Sequence, residues 1–242
     1  MKTILLALSV SLLFWSCGTK PKPSVVYPTD ANGQVGEQAL IVDSTLVLTG
    51  DLPVYFDSTD YLLFPIGEIR VSSRAGSKLY LGSGSSGDIS FSTGYLSGSS
   101  YTGSLSKVMI QHLDSSNFRP ITEQQLKIRS FQFLEAIRKK TGQQLVVMTV
   151  TDRDTNNDGE LTNDDIESLY LSHLSGQNFK KLTLELQELL DWRILIVNKR
   201  LYFRTLEDID KNGEFDKKDK IHHFFIDLTD PDFKVVEFNP LG

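Results

Sequence analysis

Three stretches of the chain follow one order: a run rich in β-branched and aromatic residues, an insert, a second such run, a tight polar turn and a closing run. The first is 61–66, a long insert, then 107–122; the second is 145–150, an acidic insert, then 169–183; the third is 200–205, another acidic insert, then 223–236. Their turns read Asp114-Ser115-Ser116-Asn117, Ser175-Gly176-Gln177-Asn178 and Thr229-Asp230-Pro231-Asp232. These residue types supply tight-turn conformations and bond their own backbone. Short β-rich runs closed by such turns read as strands, so the chain is constrained to a mostly β, antiparallel fold. Its 242 residues with 40% hydrophobic content suffice for one core.

The remaining text fits that frame with few helices. Further short runs at 39–42, 45–48 and 54–56 are punctuated by Asp43-Ser44, Thr49-Gly50-Asp51 and Asp57-Ser58. The Gly/Ser-rich stretch 72–106 carries Leu79-Tyr80-Leu81, Ile89-Ser90-Phe91 and Tyr95-Leu96. It reads either as a low-complexity loop or as short hairpin strands, and its regularly placed aromatics favour strands. Residues 122–140 hold strong helix formers, yet 131–134 alternate. One short helix is expected within 182–192, where Leu184, Leu186, Leu189 and Leu190 pass from a period of two to a helical spacing.

The chemistry is concentrated in the second and third inserts. Residues 154–165 and 208–219 each place oxygen-bearing side chains at positions 1, 3 and 5, glycine at 6 and an apolar residue at 8, Leu161 or Phe215. Both strings match the EF-hand loop at these positions. Alternate side chains converge on one cation as the chain coils around it, and the glycine permits the sharp turn that presents the next carbonyl. By this match one ligand set is Asp154, Asn156, Asp158, Glu160 through its carbonyl, Thr162 directly or through water, and Asp165. The other is Asp208, Asp210, Asn212, Glu214 through its carbonyl, Asp216 and Asp219. Oxygen-only donors favour calcium over zinc or copper, and the carboxylates crowded in each loop repel one another until a divalent ion relieves them. Both loops end in Asp where EF-hands carry a bidentate Glu, and Lys211, Lys217 and Lys218 crowd the second. Weak binding, on the order of 10⁻⁴ to 10⁻³ M, is therefore expected.

What flanks these loops separates them from a calcium sensor, which needs a helix on each side. Here 145–150 and 200–205 lead in as β-rich runs, so the loops are expected at hairpin tips. The loop pattern also resembles dockerin loops, with 166–174 able to imitate a dockerin helix, but the two loops stand too far apart for a compact dockerin pair. The run Leu169-Tyr170-Leu171-Ser172-His173-Leu174, its Gly-containing turn and the closing Leu182-Thr183 resemble the WD-like repeats of Tol-type periplasmic β-propellers. The resemblance covers roughly 40–238 and implies propeller-like antiparallel sheets. Three clear units cannot close a propeller. Either the N-terminal strands supply a fourth blade or the sheets form an open or sandwich-like domain.

The N-terminus carries a different signal. Lys2 precedes an apolar run over 4–15, too short to span a membrane as a helix. It ends at Ser16-Cys17, and Cys17 is the one cysteine of the chain, which excludes an intrachain disulfide. This arrangement resembles a bacterial lipobox, although Trp15 departs from the usual small residue. The resemblance implies a signal peptide over 1–16, acylation of Cys17, and a flexible Pro-rich tether over 17–37 ahead of a single domain at 38–242. It also implies attachment to the cell envelope. With no acidic run after Cys17, the periplasmic face of the outer membrane is favoured over the cell surface.

Net charge of −6 gives no basic footprint for nucleic acid. No Gly-x-Ser-x-Gly elbow, His-Glu-x-x-His motif or phosphate-binding glycine loop occurs. His112 and His173 share one register in two units, a packing position, and His222-His223 point to opposite faces of a strand. Two functions remain open: a non-catalytic, calcium-stabilised envelope lipoprotein that binds a protein or glycan partner, or a calcium-dependent hydrolase acting on envelope or extracellular glycans.

Overall fold

A computed structural model describes residues 22–27, 40–41, 46–70, 94–95 and 99–242. Cys17, the apolar run before it and the runs expected at 79–81 and 89–91 lie outside the described residues. The fold is mostly β with antiparallel sheets, and the described residues form one helix.

The first sheet begins with β1 (Leu46–Gly50), β2 (Val54–Tyr55) and β3 (Tyr61–Arg70). It continues through β4 (Gly94–Tyr95), the long β5 (Ser100–His112), β6 (Phe118–Pro120) and β7 (Lys127–Phe133). After the helix α1 (Glu135–Thr141) it adds β8 (Leu145–Thr151), β9 (Ser168–His173) and β10 (Lys180–Lys181). Its main path runs β1-β3-β5-β7-β8-β9-β10. A second sheet orders β11 (Gln187–Leu195), β12 (Arg200–Glu207), β13 (Lys220–Asp227) and β14 (Val236–Glu237) consecutively.

The three strand–insert–strand–turn–strand stretches pair alike: β3 with β5 and β5 with β6, β8 with β9 and β9 with β10, β12 with β13 and β13 with β14. Each turn closes with the same bond, from the amide of Ser115, Gly176 or Asp230 to the carbonyl of His112, His173 or Asp227. The sheets are nevertheless divided differently from separate blades. β7 pairs with both β5 and β8, so the first two stretches merge into one continuous sheet. No closed barrel or propeller forms among the described residues.

β8 explains how the sheets stack. All its residues are buried, because the strand is covered on both faces. Val146, Met148 and Val150 face a core with Phe56, Tyr101, Phe131 and Phe133, whereas Leu145 and Val147 face a second core with Leu169, Leu171, Leu201, Phe203, Phe224 and Ile226 from both sheets. Each such side chain contributes about 1.5–3 kcal/mol by leaving water. The outcome is two hairpins, β8–β9 and β12–β13, packed face to face with their acidic connections at the tips.

The helix is elsewhere than expected. Residues 187–195 form strand β11, because Leu186 takes φ 57°, which ends any helical run, and a bulge at Leu189/Asp191 shifts the register. That bulge turns Leu189 inward and leaves Leu190 exposed, so a β irregularity imitates helical leucine spacing. The actual helix, α1, has Glu135 in its first turn and Arg138, Lys139 and Lys140 in its last, which suits the helix dipole. Glu135 pairs with Lys139, and Gly142 closes the helix at φ 80°.

Candidate metal centre

Both acidic strings form the same loop. In the first, which joins β8 to β9, the Asp154 carboxylate accepts the amides of Asp158 at 3.1 Å and Gly159 at 2.7 Å. In the second, which joins β12 to β13, Asp208 accepts those of Asn212 at 3.3 Å and Gly213 at 2.7 Å. Position 3 accepts the amide of position 5: Asn156 from Asp158 at 3.0 Å, Asp210 from Asn212 at 3.2 Å. Position 5 accepts that of position 7: Asp158 from Glu160 at 2.9 Å, Asn212 from Glu214 at 2.7 Å. The final Asp reaches back in both. Asp165 accepts from Thr155 at 2.7 Å and Thr162 at 2.8 Å, and Asp219 from Ile209 at 3.3 Å and Asp216 at 2.7 Å. Thr162 and Asp216, at position 9, both accept the amide two residues on.

The backbone cause is equally local. Position 4 is left-handed in both loops, Asn157 at φ 65° and Lys211 at φ 55°, and the position-6 glycines, Gly159 and Gly213, sit at φ 86°. The coil therefore turns the side chains at positions 1, 3, 5 and 9 toward its own amides, while Glu160 and Glu214 at position 7 stay exposed. In the second loop Asp208, Asp210 and Asp219 bring one oxygen each within 4.8 Å of one another. Asp208 and Asp165 are buried, while Asp158, Asp210 and Asn212 are exposed, so each coil has a floor in the protein and a mouth toward solvent. Burial pushes the Asp165 carboxyl up despite its amide donors, and the Asp154 charge adds to the shift. Lys211, Lys217 and Lys218 are exposed.

Some details differ from expectation. Leu161 and Phe215 were expected to face the core, yet both are only half-buried. The first loop is secured instead by Ile166, at 2% exposure, and by Thr155, whose hydroxyl accepts the Ile166 amide at 3.1 Å. The tether expected over 17–37 is not free at 22–27. Ser24, Val25 and Val26 lie hydrogen-bonded to both loops, and Val25 is 4% exposed. This segment, in contact with both loops, is what the sequence alone does not reveal. The signal for it is faint: Val25-Val26-Tyr27, three strand formers within an otherwise polar, Pro-rich stretch.

Polar clusters secure the hairpins beneath the loops. Under the first, burial opposes the charge on Asp152. Lys181 at 2.7 Å, with the hydroxyls of Tyr170 and Ser168, outweighs it and holds the carboxyl below its usual range. Under the second, the His222 ring lies between Glu207 at 2.6 Å and Glu237 at 2.7 Å, while His223 packs its ring near Phe238 on the other face. His112 and His173 each pack against an aromatic ring, Tyr61 and Phe233 respectively.

Where the sheets meet, Glu188 on β11 accepts the Glu167 amide at 2.7 Å, and burial together with the Glu167 charge pushes its carboxyl up to about 8. The folded state therefore holds a proton that the unfolded chain releases near pH 4.5, and stability falls as pH rises from there to about 8. Glu188→Gln keeps the acceptor and removes the charge. It should raise stability at pH 8 by on the order of 2 kcal/mol and flatten the pH dependence of the melting temperature between pH 5 and 8. An unchanged pH profile would contradict this placement.

No protein-family model matches the chain, and no curated protein is significantly similar to it.

Proposed function

We propose that this chain is a calcium-binding lipoprotein of the bacterial cell envelope, acylated at Cys17 and held at the outer membrane, with a non-catalytic β-domain that serves a protein or glycan partner. The three alike-paired stretches are read as Tol-type propeller repeats assembled in an open arrangement. The observation that carries the calcium reading is the recurrence of one hydrogen-bond pattern and one pair of left-handed positions in two loops of different sequence. Shared acidity alone would not reproduce it. Asp154, Asn156, Asp158, the Glu160 carbonyl, Thr162 and Asp165 would hold one ion, and Asp208, Asp210, Asn212, the Glu214 carbonyl, Asp216 and Asp219 the other. Bound calcium would neutralise the clustered carboxylates and stiffen both hairpin tips, and the short final Asp of each loop supports weak, structural binding.

Calorimetric titration with calcium should give two ions per chain, falling to one in Asp154→Ala and in Asp208→Ala and to none in the double variant. Heat of dilution alone in the unsubstituted protein would reject the reading.

A further inference from the structure

The segment 24–27 runs between the two loops and bonds to both. Toward the first loop, the Ser24 amide donates to the Asp164 carbonyl at 2.9 Å and the Val26 amide to the Thr155 carbonyl at 2.7 Å. The Thr155 hydroxyl returns a bond to the Ser24 carbonyl at 2.7 Å. Toward the second loop, the Val25 amide donates to the Gly213 carbonyl at 3.0 Å, and Ser24 forms an antiparallel bridge with Glu214. An extended segment directs successive amides to opposite sides, so four residues can serve two loops at once. Burial of Val25 between them and a Tyr27 phenol bond to Asp208, the first position of the second loop, complete the contact.

The partners are telling. Thr155 and Gly213 lie inside the coils, at positions 2 and 6, and Asp164 and Glu214 are at positions 11 and 7. Docking the segment therefore requires both coils to hold their wound shape, and a cation is what would hold them wound.

Resting on the calcium reading above, we propose that residues 24–27 are a strap that couples the two loops: an ion in either loop favours the docked strap, and the docked strap raises the affinity of the other loop. By linkage the effect is reciprocal, so calcium also pins the N-terminal segment to the domain. With Cys17 acylated, docking leaves six residues, 18–23, between the anchor and Ser24, a reach of at most ~25 Å over seven Cα–Cα steps. Calcium thus sets how closely the domain is held to the membrane.

The test uses the full-length chain in detergent. Amide hydrogen exchange of residues 24–26 should slow at least tenfold between excess chelator and 10 mM calcium. Val26→Pro removes the amide bonded to Thr155 and keeps the buried Val25 side chain, whereas Val25→Pro removes the amide bonded to Gly213 together with that side chain. Each should weaken calcium binding about tenfold at both loops, with sites assigned in Asp154→Ala and Asp208→Ala backgrounds. Calcium uptake with unchanged exchange at 24–26 overturns the strap and leaves the calcium reading standing. A loss confined to the loop that each proline touches does the same. No calcium uptake overturns both.

Discussion

Raising free calcium from chelator levels to 10 mM should increase the melting temperature of this protein by about 10 °C at constant ionic strength. The size follows from linkage: a ligand at 100 times its dissociation constant stabilises the fold by about 2.7 kcal/mol, and two such sites by roughly 5. For a domain of this length each kcal/mol is worth about 2–4 °C. Binding tenfold weaker would reduce the shift by roughly half. Magnesium should do less, because it demands shorter, more nearly ideal octahedral coordination than a flexible oxygen-lined loop of this kind supplies. Asp154→Ala and Asp208→Ala should each remove at least half the shift, and more than half to the extent that the strap couples the loops. Both variants also lose a carboxylate that accepts two loop amides, so their chelator-treated forms should melt slightly below the unsubstituted protein. An equal shift from potassium chloride would mean general screening rather than specific sites.

Gly213→Ala should destabilise the fold by about 3–5 kcal/mol, far more than a surface substitution. Gly213 holds φ 86°, where an L side chain is strained by about 1–2 kcal/mol. A Cβ there would also lie 2.5 Å from the Val25 carbonyl oxygen. Backbone cannot yield as a side-chain tip can, so the strap must leave, exposing Val25 at a further cost of about 2 kcal/mol. Gly142→Ala is the matched comparison. Its φ of 80° is similar, but nothing lies within 4 Å of the added carbon, so about 1 kcal/mol is expected. Gly159→Ala falls between them, since its neighbours at 2.6 and 2.7 Å are Cδ1 and Cγ1 of Ile41, an exposed side chain that can rotate away where backbone cannot. Thermal unfolding of the three variants checks the order Gly213, Gly159, Gly142. Equal losses at Gly213 and Gly142 would show that the strap contact contributes nothing.

The parts legible in the sequence are those whose cause is local. Runs rich in β-branched and aromatic residues, bounded by Asp, Asn, Gly and Pro, identify β3, β8, β9, β12 and β13 without reference to the rest of the chain. The acidic loops are legible for the same reason, since the amides and acceptors that shape each coil lie within one twelve-residue string. What escaped depends on partners distant in sequence. The bulge in β11 is set by pairing with β12, and it made Leu189-Leu190 look helical. The helix at Glu135–Thr141 is short, and the preceding alternation at 131–134 belongs to β7, whose pairing on both sides joins what read as separate blades. The strap is the extreme case. Ser24 and Thr155 are 131 positions apart, and no feature of Val25-Val26-Tyr27 announces which surface they meet.

Diffraction at a wavelength where calcium scatters anomalously, from crystals grown in 10 mM calcium, tests the central claim most directly. Two peaks are predicted, one among Asp154, Asp158 and Asp165 and one among Asp208, Asp210 and Asp219, each about 2.3–2.6 Å from its oxygens. Crystals with both loops ordered and no peak in either would contradict it.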